Sequence, residues 1–278
     1  MISFPNCKIN LGLHILRKRT DGFHDLETVF YPIPLQDALE VIHQPVDSKE
    51  AVAFTTSGIT VESDSNICIK AYQLLQKDME LPPVQMHLHK AIPIGAGLGG
   101  GSADGAFTLM LLNKKFNLQL QEDQLIKYAA ELGSDCPFFI KNHPCFATGR
   151  GEQLEEITVD LTAYKIVLVN PQIHINTGWA FSHLTPDSNR TSLKEVIQRP
   201  VENWKDRLTN DFEVPIFLQY PEIGHIKNTL YQQGAVFAAM TGSGSTVYGI
   251  FGKDVPLHLS FPAHYFLKEM ITLVSMER

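Results

Sequence analysis

The sequence predicts an α+β fold, and three features carry that prediction. Apolar residues alternate with polar or small ones in Ile9–Leu16 and again in Val84–Leu88, the period of a strand with one buried face. Runs rich in Ala, Leu and Met, from Ser102 to about Lys115 and from about Gln121 to Leu132, have helical character. The length of 278 residues suffices for one large domain or two modest ones. The apolar strand Lys165–Pro171 is read as opening a second, so the expected domains are 1–155 and 156–278.

The elements follow in order. Lys8 and Asn10 share the face of the first strand opposite its apolar residues. Arg17–Gly22 is a charged turn, and Phe23–Leu35 is a strand-like segment expected to end at Pro32 and Pro34. Asp37–His43 is a short strand, and 44–57 is ambiguous, with weak strand character at Ala51–Phe54. Asp64-Ser65-Asn66 offers capping side chains for a helix reaching about Lys77. Gly133 is read as closing the helix before it, leaving Ser134 and Asp135 just past its end. Cys145–Glu152 is a strand running into a glycine turn. Ile175–Phe181 enters a helix, 186–200 is a loop with a short helix, and 206–218 is helical with a bend at Pro215. A helix over 223–233 closes at Gly234, and two strands, 236–240 and 246–251, flank the small-residue loop Thr241–Ser245. The tail past Pro256 is mixed.

Composition excludes several classes. Hydrophobic residues make up 44% and charged residues 19%, ordinary for a globular protein. A net charge of −7 without a basic tract argues against a nucleic-acid partner. No apolar run approaches the roughly 20 residues of a membrane span, and the first residues lack a secretory h-region, so the expected location is cytoplasmic with no membrane partner. The four cysteines form no C-x-x-C pair, which argues against disulfides and zinc and for small buried hydrophobes. His87 and His89 share one strand face, a weak pattern for a metal.

Between the alternating strand and the first long helix lies Pro93-Ile94-Gly95-Ala96-Gly97-Leu98-Gly99-Gly100-Gly101-Ser102-Ala103-Asp104. Five glycines in seven positions let a bound group approach the backbone, and a helix start presents N–H groups to a phosphate. A Walker A loop would need a lysine before Ser102, which is absent. The letters of a dinucleotide fingerprint are present in Gly95, Gly97 and Gly100. Its context is not: the preceding strand alternates where a central parallel strand would be continuously apolar, and no strand ending in an acidic residue follows about 20 residues on.

The loop instead resembles the Pro-x-Gly-x-Gly-Leu-Gly/Ser-Gly-Ser motif of the GHMP kinases (galactokinase, homoserine kinase, mevalonate kinase, phosphomevalonate kinase). Three further stretches resemble the branch of that superfamily whose acceptor is 4-diphosphocytidyl-2-C-methyl-D-erythritol. They are Cys7-Lys8-Ile9-Asn10-Leu11, Asp21-Gly22-Phe23-His24 and Leu132-Gly133-Ser134-Asp135-Cys136-Pro137-Phe138-Phe139, and with Thr241-Gly242-Ser243-Gly244 the likeness spans 7 to about 251. Cys7 replaces the usual Ala, and Asp104 stands where some members carry Asn.

The resemblance implies an α+β, two-domain GHMP kinase fold: an N-terminal domain like ribosomal protein S5 domain 2, a C-terminal α/β sandwich, and an active site in the cleft between. It implies ATP and Mg²⁺ as cofactors and a small-molecule acceptor phosphorylated at its 2-hydroxyl. The oligomeric state stays open between monomer and homodimer. By the same resemblance Asp135 is the general base and Lys8 lies beside it; residues 93–104 hold ATP, with Ser102 at the Mg²⁺. Asn66 and Lys90 match base and ribose contacts. Phe23 and Phe181 match the cytosine-stacking positions and His24 the one bonding the base edge, while Asn10 and Thr177 match contacts to diphosphate or erythritol. Read without the family, Asp135 is first an ordinary turn residue, while Lys8 is equally a solvated strand-edge lysine and Phe181 equally a core residue of its helix.

Overall fold

The computed structural model describes residues 1–45, 48, 50–61 and 66–271. The chain folds into two compact units that interleave in sequence: 1–7, 35–94 and 99–143 form one, and 8–34, 95–98 and 144–278 the other.

The first unit is a four-stranded mixed sheet in the order Ile2–Ser3, Ala38–His43, Val84–Lys90, Val52–Gly58. Val84–Lys90 pairs antiparallel with Ala38–His43 and parallel with Val52–Gly58. A parallel pair needs a crossover, and the helix Ile67–Gln76 lies between those two strands in sequence. Val84, Met86, Leu88 and Lys90 are buried and the residues between them are not, so one face is covered, as the alternation predicts. Helices Gly100–Phe116, Glu122–Leu132 and Cys136–Lys141 complete the unit. Asn66 is the N-cap of Ile67–Gln76, its side chain accepting from the Cys68 N–H at 2.9 Å; Asp64 and Ser65 lie outside the described residues.

The second unit has two four-stranded sheets. One runs in the order Asn6–Lys18, His24–Gln36, Cys145–Thr148, Gln153–Glu156. The other, all antiparallel, runs Phe237–Met240, Val247–Gly252, Tyr164–Asn170, Phe266–Ile271. Its core gathers Leu13, Ile15 and Leu26 with Val167, Val169, Phe212, Ile216 and Ile223.

Several expectations need correction. The first strand is buried on both faces from Asn6 to Ile15, so alternation there separates polar from apolar without separating wet from dry. The second strand runs through Pro32 and Pro34: its ladder with Cys145–Thr148 covers only Thr28–Phe30, and beyond it a missing N–H costs nothing on that side. Gly133 is the C-cap that closes Glu122–Leu132, as read from the sequence, but with extended backbone (φ 169°), and a helix, Cys136–Lys141, follows where none was expected. The helix placed at 206–218 is Glu213–Gln219. Pro215 falls in its first turn, where N–H groups lack helical partners anyway, so it bends nothing. The mixed tail contains the edge strand Phe266–Ile271.

Candidate active site

In the glycine-rich stretch, residues up to Ile94 and from Gly99 belong to the first unit and Gly95–Leu98 to the second. On the first unit, Gly99 at φ 71° is the N-cap of Gly100–Phe116, a left-handed position that glycine takes without strain. The N–H groups of the first helical turn have no partner within the helix and point, with the dipole, out of its start. A methyl at Gly101 would meet no atom within 4 Å, so neighbouring side chains do not demand glycine there; the position keeps open space in front of the N–H groups. Ser102 follows, half-buried and hydrogen-bonded to the Cys136 thiol. Burial pushes that thiol up to about 12, the Ser102 bond opposing and the Asp135 charge adding. Asp135 is the half-buried residue on which the helix Cys136–Lys141 begins. Ser102, Cys136 and Asp135 are thus brought together.

Lys90 and Asp104, expected at the nucleotide, are buried and turned to one another. The Lys90 ammonium donates to Asp37 at 2.5 Å and to Asp104 at 2.6 Å. Burial works against the Lys90 charge, yet the two carboxylates more than offset it and its pKa is raised. Asp104 is pushed up to about 7, by burial first; Lys90 opposes the rise and the Asp37 charge adds to it.

On the second unit, three successive loop carbonyls are engaged. Ala96 O accepts from the Thr246 N–H at 3.3 Å, and Leu98 O from the Lys8 N–H at 3.0 Å. Gly97 O accepts from Lys8 Nζ and from Thr241 Oγ1, each at 3.1 Å. Gly97 has φ 76°, and a Cβ there would come within 2.1 Å of Thr241 O, so no other residue fits.

Lys8 is only 3% exposed, which removes the solvated-lysine reading. Its ammonium donates to Asn10 Oδ1 at 2.6 Å and stands 5.1 Å from the centre of the Phe30 ring. Asn10, matched by the resemblance to a substrate contact, is buried and bonded on both sides of its amide. Its Oδ1 also accepts from Thr241 at 3.1 Å, and its Nδ2 donates to Thr28 at 2.9 Å.

In the same unit His24 stacks on Phe181 with ring centres 4.9 Å apart and planes 22° from parallel, and Phe181 meets Phe212 edge-on at 4.9 Å. Phe181 therefore packs on the core and still offers a ring to His24. Burial, helped by the charge of Lys18, holds the His24 pKa below the usual histidine value. Phe23 is 54% exposed, with the Arg150 guanidinium 4.9 Å from its ring centre. Thr177 opens the helix Thr177–Ser182, its hydroxyl 3.3 Å from Ser243 Oγ.

Sequence reasoning missed Asp37, Thr28 and Arg150. Asp37 had one usable signal: it directly precedes the strand paired with Val84–Lys90, whose buried alternation carries on to Lys90. Among the described residues no group of three or more His, Cys, Asp or Glu could hold a metal ion. His87 bonds Thr55 and Ser57, and His89 bonds Ser57. No helix of the described residues is long and apolar enough to cross a membrane.

Comparison with known proteins gives this arrangement its class. The model of the GHMP kinases N terminal domain matches residues 66–143, and that of the GHMP kinases C terminal matches 192–257. Fold and loop together define an ATP-dependent small-molecule kinase of the GHMP class. The 4-diphosphocytidyl-2-C-methyl-D-erythritol kinase of Bacteroides fragilis is 53% identical over 256 residues, 91% of this chain and 93% of that protein. A crystal structure of 4-(cytidine 5'-diphospho)-2C-methyl-D-erythritol kinase superposes with a TM-score of 0.77 at 30% identity over 90% of each chain. The Methanococcus jannaschii mevalonate kinase, at TM-score 0.70 and 12% identity over 98% of each chain, shares the fold alone. The chain belongs to the 4-diphosphocytidyl-2-C-methyl-D-erythritol kinase family.

Proposed function

We propose that this kinase transfers the γ-phosphoryl group of ATP to the 2-hydroxyl of 4-diphosphocytidyl-2-C-methyl-D-erythritol, giving the 2-phosphate and ADP, in the non-mevalonate route to isoprenoid precursors. The observation that carries the choice of acceptor is 53% identity across nine-tenths of the chain to the enzyme of that name. The shared fold cannot make the choice, since mevalonate kinase has it too.

Phosphoryl transfer depends on positioning and on neutralising spread charge. The N–H groups at the start of Gly100–Phe116 hold the nucleotide phosphates, and Asn66 takes the adenine. The bond from the γ-phosphorus to ADP breaks as one to the 2-oxygen forms, and Asp135 accepts the hydroxyl proton. Lys8, held in place by Asn10 and the Gly97 carbonyl, brings positive charge to the acceptor oxygen. Mg²⁺, where bound, would supply charge neutralisation at the phosphates, and Ser102 is the residue that would hold it. Phe23, His24 and Phe181 take the cytosine and Thr177 the diphosphate side. All four cysteines are fully buried, and the cytoplasm, a reducing compartment, is the location we propose.

The test is ADP release with the cytidine substrate beside mevalonate and homoserine. Turnover with the first alone is expected, and preference for either of the others overturns the assignment. Asp135→Ala and Lys8→Ala are each expected to cut kcat by at least about 10²-fold with an unchanged circular dichroism spectrum. Near-full activity in either variant removes that residue from the mechanism.

A further inference from the structure

The fourteen-residue step from Lys90 to Asp104 contains the whole phosphate loop and its five glycines. A segment of that composition is costly to order, and disorder at a binding loop is subtracted from affinity. The two ends of the step are joined. Lys90 is the last residue of Val84–Lys90, and its alternation places it on the covered face. Its ammonium meets Asp104 of the helix that leaves the loop at 2.6 Å. The same ammonium meets Asp37 at 2.5 Å. The other oxygen of Asp37 accepts the N–H groups of Ala91 at 2.6 Å and Ile92 at 2.9 Å, so one carboxylate fixes the chain as it enters the loop. Lys90, Asp37 and Asp104 are 3%, 1% and 2% exposed.

Two observations separate this cluster from an ordinary stabilising ion pair. It holds two carboxylates for one ammonium, and Asp104 Oδ1 is buried with no hydrogen-bond partner. A buried, half-satisfied carboxylate is not what stability alone selects. A neighbour also fits the cluster to the loop: a methyl at Gly100 would come within 2.8 Å of Ile92 and 3.1 Å of the Lys90 ammonium. The helix start is therefore seated on the cluster itself.

We propose that Lys90, Asp37 and Asp104 form a buried clamp that joins the entry and exit of the phosphate loop and so pre-orders it for ATP. In this role they are positioning residues that act through the loop without touching the nucleotide. The inference rests on the kinase reading only for its effect on ATP.

Asp104 is the residue to vary, because removing Lys90 would leave two carboxylates buried without a counter-charge. Asp104→Ala leaves a matched Lys90–Asp37 pair, and Asp104→Asn keeps an acceptor for Lys90. In the nucleotide-free protein, Asp104→Ala is expected to speed amide hydrogen exchange in peptides covering 91–104 and nowhere else. In turnover it should raise KM for ATP about tenfold through lost pre-ordering, while kcat and KM for the cytidine substrate stay within about twofold. Asp104→Asn should recover most of the ATP affinity. Unchanged exchange in 91–104, faster exchange throughout the chain, or equal rises in both KM values would each overturn the clamp. The exchange arm needs no activity, so an absence of ADP release with every acceptor would count against the kinase reading and leave the clamp to be judged on exchange.

Discussion

Burial, and then the charge of Lys18, holds the His24 pKa below its ordinary value and so favours the neutral ring. A neutral imidazole offers one donor and one acceptor, the complement of the amine and ring-nitrogen edge of cytosine; protonation leaves two donors and no acceptor. For a group whose folded pKa is depressed, the neutral form and its contribution to stability are present above the unfolded value and are lost as pH falls through the folded one. KM for the cytidine substrate is therefore expected to stay flat from pH 8 down to the ordinary histidine range around 6.5 and to rise only below it. The KM for ATP should lack that limb. His24→Ala should raise KM for the cytidine substrate by about tenfold, the size of one lost hydrogen bond with its stacking, and leave KM for ATP within about twofold. Equal changes in the two constants would sink the pocket assignment. At this scale the sequence names His24 and Phe181 for one pocket, and the two rings do stack on each other. The resemblance matched Asn10 to a substrate contact, but it could not show that the Asn10 amide also bonds Lys8, Thr28 and Thr241. One of those partners, Thr241, lies far away in sequence, where no local pattern reaches.

Within the phosphate loop the glycines divide by what forbids a side chain. At Gly97 the protein forbids it: the backbone is left-handed and a Cβ would lie 2.1 Å from Thr241 O. Gly97→Ala is expected to cost more than about 2 kcal/mol in urea unfolding, from left-handed strain together with displacement of the Thr241 strand end. At Gly101 nothing in the protein forbids it, since the space in front is open. Gly101→Ala should raise stability by about 0.5–1 kcal/mol as a helix-interior glycine is removed, yet raise KM for ATP severalfold by placing a methyl before the phosphate-binding N–H groups. A Gly101→Ala protein with unchanged KM for ATP would take that residue out of the loop's function. The loop and its helix were readable because glycine spacing and apolar period are local signals. The burial of Lys90, which continues the alternation of Val84, Met86 and Leu88, was not drawn from the sequence, where Lys90 was expected at the nucleotide. The errors were tertiary: the first strand looked half-buried and is covered on both faces, and Pro32 and Pro34 looked like terminators but lie beyond the ladder with Cys145–Thr148.

Because the chain passes between its two compact units at residues 7/8, 34/35, 94/95, 98/99 and 143/144, neither unit is one continuous stretch. The segment 8–34 belongs with 144–278. Leu13, Ile15 and Leu26 are buried in the cluster that contains Val167, Val169, Phe212 and Ile223. The backbone of Leu13 is bonded to the same part of the chain, donating to Thr209 O at 2.8 Å and accepting from the Asp211 N–H at 2.9 Å. A chain cut after residue 155, where sequence alone places the domain boundary, loses every one of these later partners. Exposing three such side chains costs about 5–9 kcal/mol at roughly 1.5–3 kcal/mol each, comparable with the whole stability of an ordinary domain, about 5–15 kcal/mol. A fragment of residues 1–155 is therefore expected to lack a cooperative urea transition and to show poorly dispersed amide resonances. Adding a fragment of residues 156–278 should restore both to the extent that the two associate. A lone 1–155 fragment with a sigmoid transition and dispersed resonances would show that the Leu13–Ile15–Leu26 strand pair can find a core without its later partners.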